Sequence, residues 1–243
     1  MGCQPVLHTI AMVYRRTKRS EQVRADARDK ILRAAAKLFV QKGYDATTMQ
    51  DIVKAARTSI GNVYFYFDNK ETLAWTLLEG AATAAWVRTD EAVADVPRGA
   101  SRLAVMVMAN AMNLLGANAG LTRILLFGAT TRTLRDRVGE RFAARIRTYI
   151  LDNVPSYPRE QINTAVTAWI GAARNCVEQR LAGAIDGEPL DVARFLVRWN
   201  LRAIGIADAE IDSAIAVASK VVAEWDVRGG GPVAPHLLAT IPP

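Results

Sequence analysis

The stretch GYDATTMQDIVKAARTSIGNVYFYFDNKETL, residues 43–73, decides how the first third of this chain folds. Thr48, followed three residues later by Asp51, has the form of a capping box and predicts that a helix begins there. A break at residues 57–58 separates that helix from another one predicted over residues 59–65. The stretch therefore predicts two short helices joined by a tight turn.

Helical periodicity continues on both sides of this stretch. Upstream, apolar residues recur at helical spacing from Ala25 to Gln41, and Gly43 is placed to end that helix. Downstream, Asp68 and Glu71 have the spacing of a second capping box. Further helices are predicted over 69–94, 100–117, 121–128, 132–152, 159–184, 190–204 and 208–227. No stretch alternates apolar and polar residues, so we predict an all-α fold of nine or ten helices.

The three short helices before residue 66 have the layout in which one helix braces another inside a DNA major groove. The predicted interior residues are Ile52, Val53, Ala56, Val63 and Phe67. The candidates for contact with base edges are Gln50, Ser59, Ile60, Gly61 and Asn62, with Asn62 suited to adenine and Ile60 to a thymine methyl group. The candidates for contact with phosphates are Thr48, Tyr64, Tyr66 and Lys70. Alternatively, three such helices form nothing more than a packed core.

Residues 43–73 resemble the DNA-binding signature of the tetracycline-repressor (TetR/AcrR) family. The residues that carry the resemblance are Phe39, Gly43–Tyr44, Thr47–Thr48, Ile52, Ala55–Ala56, Ser59, Gly61, the aromatic run 64–67 and Lys70–Glu71. The chain departs from the family pattern at Arg57 and Thr58, where Gly or Val is frequent, at Ile60, and at Phe65, where His is frequent. The change at Arg57 and Thr58 leaves the fold in place, whereas those at Ile60 and Phe65 leave the operator sequence open.

The resemblance implies a division of the chain into four parts. They are a basic N-terminal extension (1–22), a helix-turn-helix DNA-binding domain (23–75), a helical ligand-binding and dimerisation domain (76–228) and a Gly/Pro-rich tail (229–243). The formal net charge is +7, and residues 1–80 hold 13 Lys and Arg against 8 Asp and Glu. This bias fits contact with a polyanion. For the extension, a solvated tail and an arm that contacts DNA are equally open.

The resemblance implies that the larger domain pairs with a second copy through its last long helices. The residues assigned to this interface are Trp169, Ala173, Cys176, Arg180, Phe195 and Trp199. A two-fold homodimer would match a palindromic operator in double-stranded DNA. The alternative is that these helical stripes face the domain's own core.

A small-molecule pocket is expected in the same domain, with the apolar helix 100–117 as one wall. Its candidate lining residues are Met106, Asn110, Asn113, Phe127, Tyr149 and Trp169, each of which is alternatively a core residue. Arg88, Asp90 and Glu91, near the end of the helix 69–94, either couple the pocket to the DNA-binding domain or are solvated, and we expect them to be solvated.

Other classes of protein find little support in the sequence. Residues 103–122 carry no charge over 20 positions, but three asparagines favour a buried helix over a membrane span. Cys3 and Cys176 are too few for a disulfide framework, which favours the cytoplasm. We find no phosphate loop, nucleophile elbow or metal-ligand cluster, so we predict no enzyme, no cofactor and no metal.

The predicted function is a DNA-binding transcriptional regulator. By the family's habit it is a repressor, which leaves its palindromic operator when an apolar or amphipathic effector binds the larger domain. The alternative is an all-helical small-molecule-binding adaptor that does not bind DNA.

Overall fold

The computed structural model describes residues 5–115 and 132–227 of the chain, and these residues form helices and no strand. The all-α prediction is confirmed. The chain divides into two compact units, one ending at Leu77 and the other beginning at Leu78. No helix in the described ranges is long and apolar enough to cross a membrane.

The first unit is built from three helices and the beginning of a fourth. They are α1 (Pro5–Lys42), α2 (Met49–Ala56), α3 (Ile60–Tyr66) and α4 (Lys70–Val93). α1, α2 and α3 pack against one another around an apolar core. The most buried side chains of that core are Ile31, Leu32, Phe39, Ile52, Val63 and Phe67. Four of the five predicted interior residues are buried, and Val53 is half-buried.

The helix α1 begins far earlier than the sequence pattern predicted. It starts at Pro5 and not near Ala25, so residues 5–22 are part of the same helix. Between residues 6 and 24 the chain contains no glycine or proline, and nothing there stops a helix from propagating. The other end agrees with the prediction: Gly43, at φ 85°, donates its N–H to the Phe39 carbonyl at 3.0 Å.

The second unit is organised around a buried central helix. Its helices are the rest of α4, α5 (Ala100–Leu115), α6 (Arg132–Asn153), α7 (Ile162–Leu181), α8 (Pro189–Ala203) and α9 (Asp208–Val227). α5 packs mainly against α9 and α8, and its residues 103–109 are all buried. This burial on every side explains the uncharged stretch that the sequence shows here.

One difference from the predicted helices concerns the beginning of α7. A short 3-10 turn over Arg159–Gln161 precedes α7, so the predicted helix 159–184 is two elements. The helix predicted over 121–128, with Phe127, and the tail 229–243 lie outside the described residues. The predicted helix 208–227 matches α9 residue for residue.

Candidate nucleic-acid interface

The beginning of α2 is fixed by a complete capping box. Thr48 Oγ1 accepts a hydrogen bond from Asp51 N at 3.1 Å, and Asp51 Oδ2 accepts one from Thr48 N at 2.9 Å. Lys42 Nζ contacts the same carboxylate at 2.7 Å. Hydrogen bonds from Lys42 and Thr48 hold the pKa of the Asp51 carboxyl well below its usual range. The first predicted capping box is therefore present as expected.

The turn between α2 and α3 is closed by backbone hydrogen bonds. Arg57 takes a left-handed conformation, with φ 47° and ψ 57°. Its N–H donates to Lys54 O at 3.2 Å, and Thr58 N–H donates to Val53 O at 3.3 Å, which is the Schellman arrangement. Lys30 Nζ donates to the Arg57 carbonyl at 3.4 Å and so joins α1 to the turn.

The first residues of α3 are held by side-chain hydrogen bonds. Ser59 is the N-cap, and its Oγ accepts from Asn62 N at 3.1 Å. Asn62 Nδ2 donates to Thr58 Oγ1 at 2.8 Å. The amide that the sequence assigned to adenine is therefore half-buried and already engaged within the protein.

The first turn of α4 is fixed by Asn69 and not by the predicted Asp68. Asn69 Oδ1 accepts from Thr72 N at 2.8 Å, because it is one residue closer to the first helical position than Asp68 is. Lys70 Nζ donates to the carbonyls of Tyr44 at 2.8 Å and Asp45 at 3.2 Å, and lies 4.3 Å from the centre of the Tyr44 ring. Two of the three N–H donors of Lys70 are thus used within the unit.

The predicted DNA-contacting residues differ in their exposure. Six of them are exposed, namely Thr48, Gln50, Ser59, Ile60, Gly61 and Tyr64, and three are half-buried, namely Asn62, Tyr66 and Lys70. The sequence-based prediction missed Phe65, which at 68% is the most exposed large apolar residue among those whose exposure the structure describes. Its position on the opposite side of α3 from Val63 is the signal that a helical projection of residues 60–66 would have given.

In the second unit, the predicted pocket residues lie within or beside the core. Met106 and Trp169 are buried, and Asn110 Nδ2 donates to Met106 O at 2.8 Å. Asn113 is also buried, and its Oδ1 accepts from Arg88 Nη2 at 2.9 Å. Asn113 Nδ2 and Trp169 Nε1 have no hydrogen-bond partner among the described residues.

Asp90 and Arg88 are not simply solvated, contrary to the prediction. Asp90 Oδ1 accepts from the Tyr149 hydroxyl at 2.7 Å, and its Oδ2 pairs with Arg145 of α6. The Arg145 guanidinium lies 5.1 Å from the centre of the Trp86 ring. Burial, assisted by the hydrogen bond to Asp90, raises the pKa of Tyr149 to about 12. An open cleft of about 700 Å³ adjoins Asp90, Arg145 and Tyr149.

The predicted dimer residues separate into two groups. Trp169 is only 3% exposed and packs in the unit's own core, so its indole is not available to a partner and we no longer assign it to the interface. Ala173, Cys176 and Arg180 are half-buried on α7. Phe195 and Trp199 are exposed on α8, with their rings stacked at 6.3 Å beside an open cleft of about 330 Å³.

The first unit defines a class of protein. Two short capped helices joined by a fixed turn, with the second exposed along one side and braced by α1, form a helix-turn-helix DNA-binding domain. Residues 31–74 match the family described as bacterial regulatory proteins, tetR family. These residues carry the DNA-binding domain of that family, and over them the family resemblance seen in the sequence is confirmed.

A curated relative supports the same assignment. Over 46 residues the chain is 50% identical to the HTH-type transcriptional regulator QacR of Staphylococcus aureus strain Mu50. The match covers 19% of this chain and 24% of QacR, so it spans about a quarter of that relative's length. The matched family consists of regulatory proteins, which agrees with the prediction that the chain is not an enzyme.

Solved structures extend the likeness beyond the first unit. A TetR-family transcriptional regulator from Syntrophomonas wolfei aligns with a TM-score of 0.64 and 19% identity, covering 75% of this chain and 97% of that one. The regulator FadR from Bacillus subtilis, in complex with stearoyl-CoA, aligns with a TM-score of 0.60 and 18% identity, covering 73% and 98%. At these identities the likeness shows a shared fold.

Proposed function

We propose that this protein is a sequence-specific transcriptional repressor that binds a palindromic operator as a homodimer and leaves it when a small effector binds the second unit. The observation that carries the proposal is the exposed side of α3, at the reading position of a helix-turn-helix that matches the tetR family. The match does not favour the alternative of a helical adaptor without DNA binding. We place the protein in the cytoplasm, where its DNA lies.

DNA contact is assigned to the first unit. The beginning of α3, with Ser59, Ile60 and Gly61, is the part that reaches base edges in a helix-turn-helix. Gln50 and Asn62 are assigned to the same groove, although Asn62 must share its amide with Thr58. Phosphate contacts are assigned to Thr48, Tyr64, Tyr66 and Lys70. Lys70 reaches a phosphate with the one N–H that its two internal hydrogen bonds leave. The Thr48 hydroxyl donates to Asp51 Oδ2 at 2.6 Å and must exchange that bond for one to the phosphate.

Pairing with a second copy is assigned to α8, with contributions from α7. Phe195 and Trp199 are 57% and 55% exposed, and their rings stack on each other. Burying these two rings against a partner would add hydrophobic stabilisation that the single chain lacks. A second copy related by a two-fold axis covers both pairs at once, and a two-fold dimer matches a palindromic operator. The half-buried Ala173, Cys176 and Arg180 are assigned to the edge of this interface.

The effector is assigned to the interior of the second unit. Asn113 Nδ2 and Trp169 Nε1 are buried donors with no acceptor among the described residues, and buried donors in folded proteins are nearly always satisfied. They therefore favour an amphipathic effector that supplies acceptor oxygen atoms among apolar side chains such as Met106. Asn110 and Tyr149 are assigned to the same pocket, as is Phe127, which lies outside the described residues. The stearoyl-CoA held by the FadR relative has this amphipathic character.

Release of DNA is proposed to be a shift between two conformations. The effector must bind more tightly to the conformation whose α3 helices are wrongly spaced for the operator. α4 begins in the first unit and continues into the second, so it is the covalent link through which the shift passes.

The proposal is tested by selecting binding sites from a random duplex library with the purified full-length protein near 150 mM salt, where non-specific binding is weak. We expect enrichment of a palindrome with half-sites about one helical turn apart, which then serves as the probe for effector release. A folded protein that enriches no sequence would contradict the proposal and favour the adaptor.

A further inference from the structure

The exposed side of α3 is apolar to an unusual extent. Ile60, Tyr64 and Phe65 are 47%, 48% and 68% exposed, and they lie on a helix of seven residues. Successive residues of a helix are rotated by about 100°, so Ile60, Tyr64, Gly61 and Phe65 fall in this order within an arc of about 140°. Val63, fully buried, points away from this arc. We call these four residues the α3 arc.

Hydrogen-bonding groups are nearly absent from the α3 arc. Its single side-chain polar group is the phenol of Tyr64. Asn62 lies outside the arc, is half-buried and donates to Thr58 Oγ1 at 2.8 Å, while Ser59 Oγ accepts from Asn62 N. Guanine is usually recognised by bidentate Arg or Lys, and adenine by bidentate Asn or Gln. The arc carries none of these residues.

Thymine presents the group that such a surface recognises. Its C5 methyl projects into the major groove and is contacted by apolar side chains. Gly61 is exposed and lies between Tyr64 and Phe65 in the arc. Apart from its chain neighbours and the backbone of its own helix, no atom comes within 4 Å of the place where a Cβ would stand. The backbone of α3 can therefore approach the base edges closely there, with Phe65 beside Gly61 and Ile60 at the other end of the arc.

We infer that the α3 arc reads thymine methyl groups, and that each operator half-site holds thymines under Ile60 and Phe65. This inference rests on the proposed DNA binding and adds which bases that binding selects. Burying one methyl group is worth about a fourfold change in affinity, so two thymines per half-site add up over a dimer. Phe65, which the sequence-based prediction left out, becomes a specificity-determining residue.

The test uses the palindrome selected by the full-length protein and replaces its thymines one at a time by deoxyuridine, which lacks only the methyl group. We expect two symmetric positions or pairs of positions at which binding weakens about fourfold for each methyl removed. At the position under Phe65, the variant Phe65→Ala should bind the thymine and deoxyuridine duplexes equally well. Ile60→Ala should do the same at its own position. Val87→Ala, which truncates an exposed apolar residue of the second unit, should keep the wild-type pattern.

Three results would overturn the inference. The first is a selected palindrome in which no deoxyuridine substitution weakens binding. The second is a Phe65→Ala variant that weakens the thymine and deoxyuridine duplexes by the same factor, since Phe65 would then contact sugar or backbone. The third is a library that yields no palindrome, and in that case the proposed function fails together with the inference. The first two results leave the proposed function intact.

Discussion

Arg57 is the only residue other than glycine with a positive φ in the described ranges, and it stands at the turn on which the position of α3 depends. A side chain in the left-handed region crowds the following carbonyl group, at a cost of about 1 kcal/mol relative to glycine. Its backbone carbonyl accepts from Lys30, but that contact requires no particular side chain at position 57.

Arg57→Gly should therefore stabilise the turn, with amide protection of residues 49–66 rising about fivefold in hydrogen exchange of the full-length protein. Arg57→Ala is the matched control, because it removes the guanidinium and keeps the strained backbone, and its protection should equal that of wild type. If both variants change protection equally, the side chain and not the backbone conformation determines the stability of the turn.

At the residue scale, sequence reasoning succeeded where partners are close in the chain. Thr48 and Asp51 are three residues apart, and the capping box follows from their chemistry. It failed where a choice between neighbours depends on the backbone path: Asn69, and not Asp68, reaches the first turn of α4. Whether Phe65 or Phe67 faces outward also depends on where α3 ends, because Phe67, which follows its last turn, is buried.

At the scale of helices, no local sequence pattern predicts the side-chain contacts that link α4 to α6. Asp90 accepts a hydrogen bond from Tyr149, 59 residues away in the chain, and pairs with Arg145, 55 residues away. The centre of the Trp86 ring lies 6.1 Å from that of Tyr149 and 5.2 Å from that of Phe142. Such pairing depends on how the helices pack and not on periodicity. The first residue of α1 was missed for a related reason, since a pattern of apolar residues marks where a helix is buried and not where it stops.

The raised pKa of Tyr149 makes this link sensitive to alkali. Its ordinary value is 10.0 and its value in the fold is about 12, so the protonated phenol stabilises the fold fully below pH 10, and this stabilisation is lost as the pH rises through 12. Tyr149→Phe should be less stable than wild type by about 1 kcal/mol at pH 8. The difference should shrink between pH 10 and pH 12 in urea unfolding. A difference that stays constant over this range would contradict the assignment of the hydrogen bond to the protonated phenol.

At the scale of the whole molecule, binding to a palindromic operator requires two copies of the chain. Phe195 and Trp199 are more than half exposed, so replacing both by alanine should leave the helical content unchanged. The double variant should sediment as a monomer at micromolar concentrations where wild type sediments as a dimer, because an interface without its central aromatic residues loses most of its binding energy. Val87→Ala, another exposed position, should stay dimeric. A double variant that remains dimeric would place the interface elsewhere.

The sequence predicted the class of the whole molecule better than its contacts. The helix-turn-helix and the helices in the described part of the second unit follow from local periodicity and caps, which depend on neighbouring residues. Whether Trp169 lies in the core or at the interface does not follow from them. Its helical stripe is equally suited to a core or to an interface, and only the packing of α7 against its own unit decides for the core.

The central claim is that α3 makes the protein bind DNA in a sequence-specific manner. The most direct test is the ratio of affinities of the full-length protein for its selected palindrome and for a scrambled duplex of equal length, measured by fluorescence anisotropy at 150 mM salt. The account predicts a ratio of at least about 1,000, with most of it lost in an Ile60→Ala/Phe65→Ala double variant that stays folded and dimeric. A wild-type ratio near one, with both duplexes released alike as salt rises, would contradict it and leave only a non-specific attraction for phosphate.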